Sequence, residues 1–220
     1  MIIAIDGPAA SGKSTVARTV AQRLGFGYLD TGAMYRSVAL AALERSVPLD
    51  DEAQLSALAR AVEVDFDLDA SGLATIVLLD GRDVSSAIRS PEVTEAVSPV
   101  SKVPGVREAM VERQRRLCDG KDYVVEGRDI GTVVFPEADV KVYLTASVEE
   151  RARRRFGDYS SAGVDADTEA VARELQRRDW IDSTRKAAPL AKADDAVLID
   201  TTPLSVDEVV EAVLSLVDRS

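Results

Sequence analysis

The chain has no histidine and one cysteine among its 220 residues. The first absence excludes a Ser-His-Asp triad, a Cys-His dyad and a histidine-ligated zinc. The second excludes an intrachain disulfide and a thiolate metal centre, and it fits a reducing compartment. Cys118 follows an apolar-periodic stretch, so a packed thiol is expected rather than a reactive one. No run approaches the eighteen consecutive apolar residues of a membrane span. The first residues lack a basic, apolar, small-residue leader pattern and read straight into a strand, so no targeting segment is expected and a cytoplasmic location is. No Asn-Lys-x-Asp stretch is present, which argues against a guanine-reading switch. Basic residues are outnumbered 27 to 38, for a net charge of −11. A broad polyanion-binding surface is therefore not expected, and neither a nucleic-acid polymer nor a membrane is an expected partner. Any catalytic metal should sit among oxygens, which suits Mg²⁺.

What is present is concentrated at the start. Met1 to Asp6 reads as a short buried strand, and Gly7, Pro8, Ala9, Ala10, Ser11, Gly12, Lys13 and Ser14 follow it without a gap, matching G-x-x-x-x-G-K-[ST]. Thr15 continues into an amphipathic helix that stops at Gly25. Gly7 and Gly12 let the backbone turn tightly and approach a phosphate. The loop N–H groups and the helix N-terminus surround an anion. Lys13 would reach the outer phosphates of ATP, and the Ser14 hydroxyl would hold Mg²⁺.

Strand and helix signals alternate along the chain, which predicts an α/β fold with a central parallel sheet covered by helices. Helices are expected over 13–24, about 33–45 and 106–117, with Ser90-Pro91 as a helix start; strands are expected over 28–30, 123–126, 140–144 and 196–200. Capping boxes are expected at Ser147–Glu150 and Ser205–Glu208, the latter opening a terminal helix with Val206, Val209, Val210, Val213, Leu214 and Val217 on one stripe. Residues 63–84 break the rhythm and read as small antiparallel strands with turns at 69–72 and Asp80-Gly81. The hairpin context makes Asp80 a turn residue rather than a metal ligand, despite the apolar run before it. Residues 157–167 have the composition of a polar connection between two helices.

Four constellations beyond the phosphate loop concern a second ligand: 30–36 with Thr31, Tyr35 and Arg36; 126–132 with Glu126, Arg128 and Asp129; Arg178 and Asp179 with Asp182 and Arg185 at near-helical spacing; and Ser98 with Arg107. The arginines are clumped, Arg151, Arg153, Arg154 and Arg155 in one knot and Arg173, Arg177, Arg178 and Arg185 in another. In an acidic chain such clusters suit small phosphorylated ligands. The alternative is a solvated helix face, with Arg173 and Arg177 pairing with Glu169 and Glu174.

These segments together resemble the bacterial cytidylate kinases of the nucleoside-monophosphate kinase group of P-loop kinases. The carrying stretches are 5–15, 29–36, 126–136 and 178–190, and the resemblance covers essentially the whole length. It implies one P-loop kinase domain over 1–220, with 63–84 inserted in the monophosphate-binding region and a lid over about 151–167. It implies ATP with Mg²⁺ as donor and CMP or dCMP as acceptor, in a protein expected to act as a monomer. It implies cytosine reading by Ser98, Arg107 and Asp129, ribose contact by Arg178 and Asp182, and acceptor-phosphate binding by Arg36, Arg128 and Arg185. Arg154, with Arg151 and Arg155, would belong to the lid over the donor phosphates. Thr31 stands where some relatives have Ser, which keeps the hydroxyl. Another small P-loop kinase, acting on UMP, AMP or a non-nucleotide, is the alternative.

Overall fold

A computed structural model describes residues 1–68, 75–161 and 167–218. In chain order the elements are β1 (Ile2–Asp6), α1 (Lys13–Leu24), β2 (Gly27–Asp30), α2 (Thr31–Glu44), α3 (Glu52–Ala61), β3 (Val64–Leu68), β4 (Thr75–Leu79), β5 (Arg82–Asp83), α4 (Pro91–Ser101), α5 (Pro104–Cys118), β6 (Tyr123–Gly127), β7 (Val140–Thr145), α6 (Val148–Ser161), α7 (Thr168–Thr184), β8 (Val197–Asp200) and α8 (Val206–Val217). A 3-10 turn covers Ala87–Arg89 and a π-helical turn Ile130–Val134. The chain divides into two compact units, one built from Met1–Leu29 with Gly120–Ser220, the other from Asp30–Asp119.

The first unit holds a five-stranded sheet in the order β2-β6-β1-β7-β8. β1 pairs in parallel with β6 (Asp6 opposite Gly127) and with β7 (Asp6 opposite Tyr143), and β7 pairs in parallel with β8. A strand covered on both faces must be apolar throughout. Ile3, Ile5, Val124, Val142 and Leu144 accordingly pack with Val16 and Val20 of α1 and Val209, Val210 and Val213 of α8. The capping box at Ser205 forms as expected, with Glu208 reaching back to the Ser205 N–H. Val206 does not join the stripe: it occupies the first helical position and is 46% exposed. The box at Ser147 is made by half. Ser147 Oγ accepts from Glu150 N at 3.2 Å, but the Ser147 N–H goes to Thr202 Oγ1, and the Glu150 carboxylate is taken by Arg153 and Arg154.

Helix α6 runs further than the composition of 157–167 suggests. Residues 157–161 are its last turns, Asp167 caps α7, and residues 162–166 lie outside the described residues. The physical reason is side-chain support along the helix. Glu150 holds Arg153 and Arg154, and Arg155 lies 5.9 Å from the Tyr159 ring. Arg173 pairs with Glu169 at 3.5 Å, as the helix-face alternative requires.

The second unit is mostly helical. Asp30 caps α2 through Ala33 N, Asp51 caps α3 through Gln54 N, and Ser90 caps α4 with Pro91 at its first position. α3 is an element the periodicity reading did not anticipate. Its Leu55 and Leu58 are buried, along with Met34 and Val38 of α2, Val93 and Val97 of α4, and Val106 and Met110 of α5. β3, β4 and β5 form the expected antiparallel sheet, with Val64 opposite Leu79 and Leu79 opposite Arg82. At the β4–β5 turn Asp80 and Gly81 both take left-handed backbone, φ 50° and 76°. Asp80 accepts from Glu63 N at 2.8 Å and from Arg45 at 2.6 Å, so its carboxylate holds the hairpin. The turn expected at 69–72 lies outside the described residues. Cys118 is buried.

Candidate functional site

In the first unit the phosphate loop leaves the carboxyl end of β1, the edge where ligands meet parallel sheets. Gly7 has φ 146°, and a Cβ there would stand 2.0 Å from the Leu144 carbonyl oxygen of β7. Only glycine lets the loop lie so close to the sheet. Ala10 is held at φ 59°, an uncommon conformation for a side-chain-bearing residue and one that clusters at ligand clamps. Lys13 is buried and folds back over the loop, its Nζ donating to Pro8 O at 2.7 Å. Burial, then the neighbouring Arg128 charge, pulls its pKa from 10.5 to about 7.

A carboxylate stands at each of two strand ends. Asp6 closes β1 and accepts from Ile130 N and Gly131 N, both at 2.8 Å, which fixes the turn after β6. Burial pushes its pKa up to about 6. Glu126, in β6, accepts from Ser14 Oγ at 2.9 Å and from the Tyr28 phenol. An alcohol oxygen beside a carboxylate is a hard, all-oxygen donor set of the kind Mg²⁺ takes together with phosphate.

One of the knotted arginines bonds the loop directly and a second is tied to it through Thr201. Arg151 is buried; it donates to Ala146 O at 3.1 Å, to Ala9 O at 3.2 Å and to Asp179 at 2.6 Å. Arg154 gives Nε to Glu150 and its two terminal nitrogens to Thr201, at 2.9 Å to Oγ1 and 2.8 Å to the carbonyl. Thr201 Oγ1 in turn lies 3.2 Å from Ser11 O and 3.0 Å from Thr145 O. Arg155 turns elsewhere, towards Asp158 and Tyr159.

A second cluster in the same unit gathers Arg128, Asp129, Arg178, Asp182 and Arg185. Arg128 Nε donates to Asp182 at 3.0 Å; Arg185 lies 3.4 Å from Asp129 and 3.7 Å from Asp182. Burial alone would raise the Asp182 pKa, but Arg128, Arg178 and Arg185 outweigh it and hold the carboxyl below its usual value. The cluster is cationic and pre-aligned, with guanidinium planes already oriented by carboxylates.

The remaining candidates are in the second unit. Arg107 lies 5.1 Å from the Tyr35 ring and donates to Ser101 O at 3.1 Å. Arg36 donates to Ile88 O at 3.2 Å and Thr94 Oγ1 at 3.0 Å. Thr31 opens α2 and is buried; Ser98 lies in α4. The sequence reading did not single out Asp6, Tyr28 or Thr201. Asp6 was legible as the acidic end of the strand before the loop, whereas Tyr28 and Thr201 carry no sequence signal.

Residues 3–219 match the family described as Cytidylate kinase. The chain is 53% identical over 217 residues to the cytidylate kinase of Geobacillus kaustophilus (strain HTA426), covering 99% of this chain and 96% of that protein. It is 49% identical over 219 residues to the cytidylate kinase of Bacillus licheniformis, covering 100% and 96%. A crystal structure of an uncharacterized protein from Eubacterium ventriosum aligns over 100% of this chain and 99% of that one, with TM-score 0.55 and 12% identity, a likeness of fold alone. Kinship at about half identity over nearly the whole length, with a family match across residues 3–219, makes the chain a member of the cytidylate kinase family.

Proposed function

We propose that the protein transfers the γ-phosphoryl group of ATP to CMP or dCMP, giving ADP and CDP or dCDP. The observation that carries the reading is the complete phosphate loop at the end of β1, with Lys13 buried within the field of Arg128 and Arg178, in a chain of this family. Residues 7–15 bind the donor phosphates, and Lys13 leaves the Pro8 carbonyl to meet the outer ones. The Ser14 hydroxyl, oriented by Glu126, would hold Mg²⁺, which neutralises charge on the donor phosphates when bound. Arg36, Arg128 and Arg185 bind the acceptor phosphate. Ser98, Arg107 and Asp129 recognise cytosine, Arg178 and Asp182 contact the ribose, and Thr31 and Tyr35 line the acceptor position. Arg151 and Arg154 brace the donor loop, and Arg155 is the lid arginine left to reach the donor. The chain works as one kinase domain, as a monomer, in the cytoplasm.

The chemistry asks little covalent work of the protein. The acceptor phosphate is already an anionic nucleophile, so no general base is required, in keeping with a chain that lacks histidine. The barrier lies in bringing two polyanions into line, and cations fixed in a low-dielectric site lower it. A coupled ADP-release assay with CMP, dCMP, UMP and AMP side by side tests the reading. CMP and dCMP are expected to exceed UMP and AMP by at least about tenfold in kcat/KM, roughly 1.4 kcal/mol of transition-state preference. A preference for UMP or AMP, or ADP release indifferent to all four, overturns it.

A further inference from the structure

The phosphate motif does not account for one side chain that is linked to its serine through a shared carboxylate. Tyr28 lies in β2, outside the motif, and its phenol donates to Glu126 Oε1. The other oxygen of the same carboxylate accepts from Ser14 Oγ at 2.9 Å. Glu126 is buried, so its two oxygens depend on protein donors to fix their plane. A hydroxyl that gives a lone pair to a cation must send its proton the other way, and Glu126 is where that proton points. The Tyr28 ring packs partly buried against the core of the first unit, with the Arg18 guanidinium 5.5 Å from its centroid, so the phenol is held by more than its hydrogen bond.

We propose that Tyr28 is a positioning residue: through Glu126 it keeps the Ser14 hydroxyl turned so that its lone pairs face Mg²⁺ accompanying the donor nucleotide. The inference rests on the donor-site reading given under Proposed function. Groups that orient a metal's ligands govern metal affinity strongly even though they never touch the ion.

Calorimetric titration of ADP, with and without Mg²⁺, tests it on the full chain, on Tyr28→Phe, on Glu126→Gln and on the double variant. Phe keeps the ring and its packing and removes only the hydroxyl. In Tyr28→Phe the affinity for ADP without Mg²⁺ is expected to stay put, while the gain conferred by Mg²⁺ falls by about tenfold. Added to Glu126→Gln, the same change is expected to do nothing further, because its route is gone. A Tyr28→Phe chain that keeps the full Mg²⁺ gain, loses ADP binding without Mg²⁺ as well, or shows the same loss in the Glu126→Gln background overturns the inference. An unaltered chain whose ADP affinity ignores Mg²⁺ overturns instead the donor-site reading beneath it.

Discussion

Lys13 is a residue at odds with its surroundings. It is buried, one carbonyl receives its ammonium, and Arg128 and Arg178 add like charge, so its pKa falls from 10.5 to about 7. A base whose pKa is lower folded than unfolded costs stability when charged. The cost is complete below pH 7, shrinks as pH rises and is gone above 10.5, where both states are neutral. Lys13→Met removes the charge and keeps much of the stem. It is expected to unfold about 2–4 °C higher than the unaltered chain at pH 6.5, for each ~1 kcal/mol regained, and to lose that advantage by pH 10.5. CDP formation should fall by orders of magnitude in the same variant. Scanning calorimetry across pH, paired with the coupled assay, checks both, and an unchanged or lowered midpoint at pH 6.5 refutes the strain. The charge that binds polyphosphate is thus a destabilising feature of the empty site, as expected where stability yields to function.

At the scale of elements, the arginine-rich helix α6 departs most from its sequence reading. Its first turns pointed to a group of lid arginines, yet Arg151 reaches Ala9 O and Asp179 of α7, and Arg154 reaches Thr201. Arg151 therefore joins α6, α7 and the phosphate loop. Arg151→Met would strand Asp179, whose side chain is 22% exposed, and the Ala9 carbonyl. Removing one partner of a buried pair costs about 3–5 kcal/mol. With Asp179 partly wet, a loss of about 2–3 kcal/mol is expected, read as a lower urea midpoint at unchanged m-value. KM for ATP should rise more than KM for CMP, and equal increases would detach Arg151 from the donor loop. Periodicity located α6 but said nothing about which of four neighbouring arginines faces inward, because all four have the same chemistry and only packing separates them. Helix α3 went unread for the opposite reason. Its N-cap, Asp51 with Gln54, was in plain view, but Glu52–Ala61 has only Leu55 and Leu58 as large apolar side chains, too short a pattern to announce a core face. The strands around the β4–β5 turn were fully legible, since Asp-Gly specifies its own left-handed geometry.

At the scale of the whole molecule, the first unit is discontinuous in sequence and the second is not. β1 comes from the first thirty residues and pairs with β6 on one side and β7 on the other. Without it the sheet splits into β2-β6 and β7-β8, and a chain that begins at residue 120 lacks β2 as well, which leaves β6 with no partner. Residues 120–220 expressed alone are therefore expected to show neither cooperative thermal unfolding nor a strand signal by circular dichroism, and adding a peptide of residues 1–29 should restore both in part. A cooperative transition in the fragment alone contradicts a sheet organised around β1. No helix among the described residues is long and apolar enough to cross a membrane.

What the amino-acid order settled unaided is what depends on neighbours in sequence: the phosphate loop, the capped helix starts, the hairpin turn, the alternation of strand and helix, and the mechanisms barred by missing side chains. These follow from local backbone geometry and composition, which a linear string carries in full. What only the tertiary structure decided is how distant groups meet: Tyr28 and Ser14 sharing Glu126, Asp6 pinning the turn after β6, Thr201 holding Arg154 against the loop, and the burial and like charges that lower the Lys13 pKa. Each arises because β1 is inserted between strands drawn from the far end of the chain, and no local pattern records which side chains that insertion will bring within hydrogen-bonding reach.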